Sequence, residues 1–189
     1  SSDRRLSHNK IRDLYDDGTG LIVLSDGGLD RLDYRTGGIR HYNILDASGE
    51  HYSTWMYSIA EDNKGRLWIG TYNGLLMIKD KNRLIAAPEV PYKADRQFCM
   101  SSDPSISGNA VIDVVAADSF VAALSNGAVD FISFTDDRIT YVELPQDLFA
   151  TTLEADGDSI WVGTSRGLYI LGKDGNARAV PGFGLPVND

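Results

Sequence analysis

The chain says nearly the same thing twice. "GRLWIGTYNGL" at 65–75 returns as "DSIWVGTSRGL" at 158–168. A phrase repeated at this distance restricts the fold more than any bulk property, because it marks a structural unit that recurs. Anchored on the glycine that closes each phrase, four segments align. They are "LIVLSDGGLDRLD" from Leu21, "LWIGTYNGLLMIK" from Leu67, "FVAALSNGAVDFI" from Phe120 and "IWVGTSRGLYILG" from Ile160. Their starts lie roughly 40–50 residues apart, the length of one propeller blade. The third copy is the most degenerate, with Ala122 and Ala123 inside it, and admits a shift of one residue.

Each copy is preceded by a stretch that alternates apolar and polar residues: 9–20, 55–66, 109–118 and 148–159. Alternation with a period of two is the mark of a strand. Asp/Gly turns follow in three copies, at 17–18, 62–65 and 156–158. Such residues tolerate the backbone angles of a tight hairpin. Weaker fourth strands are expected at 38–44, 83–87, 138–144 and 177–182. The expectation is therefore all-β: a partial β-propeller of four four-stranded antiparallel blades, at 6–46, 52–92, 107–144 and 147–182. "GLPVND" at 184–189 falls in a final segment, 183–189, that reads as the start of a further repeat. The segment 86–109 lengthens one interval and leaves open an insertion, an extra edge strand or a loop.

Blade packing explains the phrase. Both faces of a blade press on neighbours, so Leu67, Trp68 and Ile69 can point to alternate sides and all be buried. Gly70 and Gly163 leave room for a close neighbour. Gly74 and Gly167 suit positive φ at the end of a turn. Trp68 and Trp161 are expected in the core.

These residues resemble the two-component regulator propeller repeat. "SIAEDNKGRLWIGTYNGLLMI" at 58–78 is similar to it almost throughout, and "DGDSIWVGTSRGLYI" at 156–170 lacks only the Glu-Asp pair. The first copy keeps the frame with "LIVLSDGG", and the third departs most. The resemblance implies the periplasmic sensor region of a hybrid two-component system, with a histidine kinase elsewhere in the parent chain. It implies oligosaccharide ligands, bound by loops at a propeller face or at a junction between modules. Four blades are too few for that family's closed ring. Exposed end faces are then expected to drive self-association, for which two halves closing into an eight-blade ring is one solution.

The 189 residues carry a formal net charge of −9, which disfavours nucleic acid as a partner. No apolar run is long enough to cross a membrane, so no membrane contact is expected. The three histidines, His8, His41 and His51, have no metal-ligand spacing, and the single Cys99 reads as a packing residue. No metal and no cofactor is expected. No nucleophile motif occurs, and propeller glycosidases need a central arginine cluster and paired acids that the spacing does not supply. Sugar binding is the stronger expectation, since aromatic faces stack on sugar rings and polar groups meet hydroxyls. The loops joining outer to inner strands share one propeller face with the turns between second and third strands. That places His51, Tyr52, Trp55, Tyr57, Tyr72, Asn73 and Arg166 together as candidates. The competing readings are a dimerisation scaffold with no ligand site and, more remotely, a glycosidase.

Overall fold

The computed structural model describes residues 5–50, 55–125, 127–172 and 176–182. The candidates His51 and Tyr52 and the segment 183–189 lie outside the described residues.

The first sheet consists of β1 (Ile11–Asp16), β2 (Gly20–Ser25), β3 (Gly28–Asp33) and β4 (Ile39–Tyr42), hydrogen-bonded in that order. A short strand, β5 (Ile44–Leu45), follows. The second sheet opens with β6 (Met56–Glu61), β7 (Leu67–Thr71) and β8 (Gly74–Ile78). The chain then leaves the sheet through α1 (Lys81–Ala86) and β9 (Tyr92–Lys93), and returns as β10 (Arg96–Phe98) on the outer edge of β8. The third sheet is β11 (Asp113–Ala116), β12 (Phe120–Ser125), β13 (Ala128–Ser133) and β14 (Ile139–Glu143). The fourth is β15 (Ala150–Asp156), β16 (Ser159–Thr164), β17 (Gly167–Gly172) and β18 (Ala177–Ala179). Within each four-stranded sheet every pairing is antiparallel. Contacts between sheets run from β1 to β6, β6 to β11 and β11 to β15. First strands thus meet first strands, and the sheets fan out from a common axis as propeller blades do.

The second blade corrects the expected outer strand at 83–87, and with it the limit at residue 92. Asp80 caps a helix there, its side chain accepting the Arg83 N–H, and Leu84 turns into the core. A Ser/Thr/Asp/Asn cap with Pro88 beyond the far end reads as a helix, and that signal overrides the apolar run. The outer strand is β10, so part of the long 86–109 segment belongs to the blade itself. β5 and β9 pair in parallel and tie the excursion back to the first blade.

The third copy starts at Val121, one residue later than Phe120. Ser25, Thr71, Ser125 and Thr164 end the second strands, each paired with the first residue of the third strand. Counting back from them aligns Leu21, Leu67, Val121 and Ile160.

Three apolar layers lie between the blades. Ile22, Leu24 and Leu29 meet Ile59, Leu67 and Ile69. Trp68, Leu75 and Phe98 meet Val114, Val121 and Phe134. Ala122, Leu124 and Phe131 meet Leu153, Ile160 and Val162. Successive residues of β7 therefore serve different layers, as the double-sided burial of a central strand requires.

The recurring Thr-x-x-Gly is a turn clasp. Thr71 Oγ1 donates to the Gly74 carbonyl at 2.8 Å and accepts the Asn73 N–H at 3.1 Å. Thr164 does the same with Gly167 and Arg166, and Ser25 with Gly28 and Gly27. Gly74 sits at φ +122°, where a side chain would be strained. A Cβ on Gly70 would fall 2.7 Å from the Val111 carbonyl, so its absence lets the third blade's leading segment close on the second. Trp68 is 1% exposed and stacks on Phe98 and Phe134.

Candidate functional site

Each inner strand is built the same way at the end where the chain enters. The register shifts between Ile11 and Asp13 in β1, between Met56 and Ser58 in β6, and between Ala150 and Thr152 in β15. One residue is extra in each: Arg12, Tyr57 and Thr151. Ile112 holds the same place before β11, its N–H bonded to the Leu124 carbonyl opposite Asp113. A bulge of this kind re-aims the extra side chain out of the ladder. Three bulges and the residue leading into β11 thus send Arg12, Tyr57, Thr151 and Ile112 into one cleft of about 410 Å³ at the axis of the blades.

In the first three blades the next residue, Asp13, Ser58 or Asp113, fastens its blade to the following one. Asp13 Oδ2 accepts the Ile59 N–H at 2.8 Å. Ser58 Oγ donates to Asp113 Oδ1 at 2.8 Å and accepts the Val114 N–H at 3.2 Å. Asp113 Oδ2 accepts the Leu153 N–H at 2.6 Å. A belt of side chain to backbone bonds therefore runs round the inner strands, directly beneath the cleft.

Around the rim, the entering segments of the first, second and fourth blades bond to their turns between second and third strands. Tyr72 N–H donates to the Trp55 carbonyl, Ser165 N–H to Phe149 and Asp26 N–H to Lys10. Trp55 and Tyr72 pack edge to face, with ring centres 5.3 Å apart at 74°. Both remain about half exposed, and Phe149 is 72% exposed. Such aromatic area left in water at one place on a surface marks a binding site more often than an isolated apolar residue does.

Arg12 is the cation of the site. Its guanidinium carbon lies 4.9 Å from the Tyr57 ring centre, and its Nε donates to Asp26 Oδ1 at 2.6 Å. Lys10 Nζ lies 3.3 Å from the other Asp26 oxygen. The hydrogen bond from Arg12, with that from Lys10, holds the Asp26 carboxyl below its usual range. Burial raises the Tyr57 phenol above its ordinary value against the opposing pull of Arg12. At neutral pH its hydroxyl is therefore protonated, able to donate and to accept.

Of the sequence candidates, the structure brings Trp55 and Tyr72 together and sets Tyr57 in the cleft. Asn73 is exposed at the turn beside Tyr72, its N–H engaged by Thr71. Arg166 pairs with Asp147 at 2.5 Å on the fourth blade and does not line the cleft. Arg12, Ile112 and Thr151 were not among the candidates. They share a register position but no residue type, and the only sequence signal for them is the offset of one from Asp13, Asp113 and Thr152. Among the described residues no group of His, Cys, Asp and Glu side chains could hold a metal ion. No described helix is long and apolar enough to cross a membrane.

Comparison with known proteins agrees with this architecture. The two component regulator propeller family matches residues 53–73. The extracellular domain of BT4673 from B. thetaiotaomicron, assigned to a one component system, superposes with a TM-score of 0.76. It is 28% identical, and the match covers 94% of this chain and 25% of that one. The extracellular domain of BT3049 from the same organism, assigned to a hybrid two component system, gives a TM-score of 0.60 at 17% identity. That match covers 85% of this chain and 21% of the other. A catalytically inactive virginiamycin B lyase from Staphylococcus aureus shares the fold at 12% identity and a TM-score of 0.66, over 94% of this chain and 56% of its own. The chain thus spans about a quarter of the length of the BT4673 domain. No curated protein matches it. The repeated phrase, the clasped turns and the radial packing resemble those of the two component regulator propeller repeat, whose family model matches at residues 53–73, from the segment entering the second blade to its clasped turn.

Proposed function

We propose that this chain is the recognition portion of an extracytoplasmic sensor, and that it binds an oligosaccharide at the mouth formed by its inner strands. The observation that carries the reading is the convergence of four residues at equivalent places, one from each blade and three of them bulged, on a single cleft flanked by the Trp55–Tyr72 pair. A site assembled from every blade reads the relative placement of all of them, which is what a sensor must couple to its ligand. Similarity to the extracellular BT4673 domain supports a location outside the cytoplasm. A periplasmic ectodomain feeding a histidine kinase is the parent architecture that fits.

The site is built for binding rather than turnover. None of the four lining side chains is a carboxylic acid, and the nearby Asp26 is held ionised by two cations. Glycoside hydrolysis needs a protonated acid and a second carboxylate at the bond.

Titration calorimetry of the protein against a panel of oligosaccharides tests the reading. Binding is expected, and Trp55→Ala with Tyr72→Ala is expected to weaken it about tenfold, as loss of a stacking platform should. A panel in which nothing binds overturns the proposal.

A further inference from the structure

The ligand class can be narrowed, on the reading that the inner-strand mouth is a sugar site. The geometry points to an acidic oligosaccharide, one whose carboxylate or sulfate is received by Arg12 in the cleft.

Three features converge on this. First, the guanidinium is fixed in place. Its carbon lies 4.9 Å from the Tyr57 ring centre and its Nε is spent on Asp26, so the group is held from two sides before any ligand arrives. Secondly, its two Nη groups make no hydrogen bond to any described residue, and Arg12 lines the cleft. Two parallel N–H donors on one guanidinium match the two oxygens of a carboxylate or sulfate, and such bidentate pairs are the strong, directional ones. Thirdly, two cations, Lys10 and Arg12, share the single carboxylate of Asp26 at the cleft, and the Asp113 carboxylate beneath it is taken up by Ser58 and the Leu153 N–H. Asp13 lies one residue away, but its carboxylate is turned to the Ile59 N–H of the next blade. The remaining lining groups suit a sugar ring: the Tyr57 and Thr151 hydroxyls for its hydroxyls and Ile112 for its apolar face.

A neutral sugar gives the guanidinium only weak acceptors. An anionic one gives it a partner of opposite charge while the carbohydrate ring lies on the aromatic rim. Asp26 is accordingly a positioning residue, since it aims Arg12 without touching the ligand.

A glycan array carrying uronic-acid, sulfated and neutral oligosaccharides, probed with the intact protein, separates the outcomes. Acidic glycans are expected to bind, and which acidic set is retained distinguishes a carboxylate from a sulfate. Arg12→Gln is expected to lower affinity for the retained set about ten- to hundredfold. Its thermal midpoint should match that of the unaltered protein, since the Arg12 side chain packs in no core layer. Asp26→Asn should lower the same affinity by a smaller factor. Binding confined to neutral glycans, or unchanged binding of acidic ones by Arg12→Gln, overturns the inference and leaves the sugar-binding reading standing. An array with no binding at all removes both.

Discussion

Asp62 shows how much a single side chain organises. It is buried, and its carboxylate accepts from Trp68 Nε1 at 2.8 Å, from Arg66 Nε at 2.6 Å and from the Lys64 and Arg66 N–H groups. Burial alone would raise its pKa, but these bonds, led by Trp68, hold it below the usual carboxylate range. Arg66 in turn lies over Trp68 and Phe134, so the same cluster closes the gap to the third blade. Position by position, the equivalent residues are Asp17 in the first blade and Ala117 in the third. Asp17 takes the Arg31 guanidinium instead, and its carboxyl falls to about 2. Where Ala122 and Phe120 replace the tryptophan and the arginine, no donor remains and alanine suffices. The acid is therefore present wherever a buried donor needs it. Replacing Asp62 by Ala orphans the indole, the guanidinium and two turn amides together. The expected cost is about 3 kcal/mol of unfolding free energy, read as a lowered urea midpoint. Asp62→Asn keeps one acceptor and should cost less. A midpoint unchanged by the alanine would mean that the cluster contributes nothing.

At the scale of elements, the belt of inner-strand bonds makes neighbouring blades depend on one another. Asp113 sits at its centre, reaching back to Ser58 and forward to the Leu153 amide. Asp113→Ala cuts both links, yet touches no apolar layer. The expected signature is local: amides of β15 should exchange with solvent about 10–30-fold faster, while the inner part of β2 keeps its protection. Exchange in β15 at the unaltered rate would show that apolar packing alone holds the blades in register. The elements also show what was readable beforehand. The second and fourth blades declared themselves because Trp68, Gly70 and the Thr-x-x-Gly clasp each answer a local steric need. The third was hard to align because bulk moved across the sheet. Trp68 faces Met77, whereas Ala122 faces Phe131, so the aromatic ring sits on the third strand and the strand that carries the motif loses its own. The helix at α1 reads as a strand from sequence because "RLIAA" is apolar enough for one, and only Asp80 three residues upstream and Pro88 beyond it say otherwise. At the mouth, the aromatic candidates were visible by type. Arg12, Ile112 and Thr151 were not, since a bulge is a feature of register and registers belong to pairs of strands.

Over the whole molecule, the three layers between blades leave two faces outside. On the first sheet Leu21, Leu32 and Ile39 share the face turned away from the second blade, and each is only half buried. On the fourth, Trp161 and Ile170 oppose one another on the side away from the third, with Leu168 beside them. These are the counterparts of positions that are fully buried inside: Trp161 matches Trp68 and Leu21 matches Leu67. A blade face made for a neighbour and left in water loses roughly 25 cal/mol for each Å² of apolar surface it fails to bury. Repeat arrays relieve this with a polar cap, with more blades or with another copy. Among the described residues no polar cap covers the fourth sheet, whose outward face joins Ile170 to Arg178 at the outer edge. We therefore expect the chain by itself to associate with a second copy through these end faces. Sedimentation velocity over a hundredfold range of concentration should show a dimer that dissociates on dilution. Trp161→Glu, which places a charge at the centre of the fourth face, should shift the population to monomer with the blade fold intact by circular dichroism. A chain that stays monomeric at high concentration would show that the half-buried faces are tolerated in water, and that the blades hold together through the belt and the three inner layers alone.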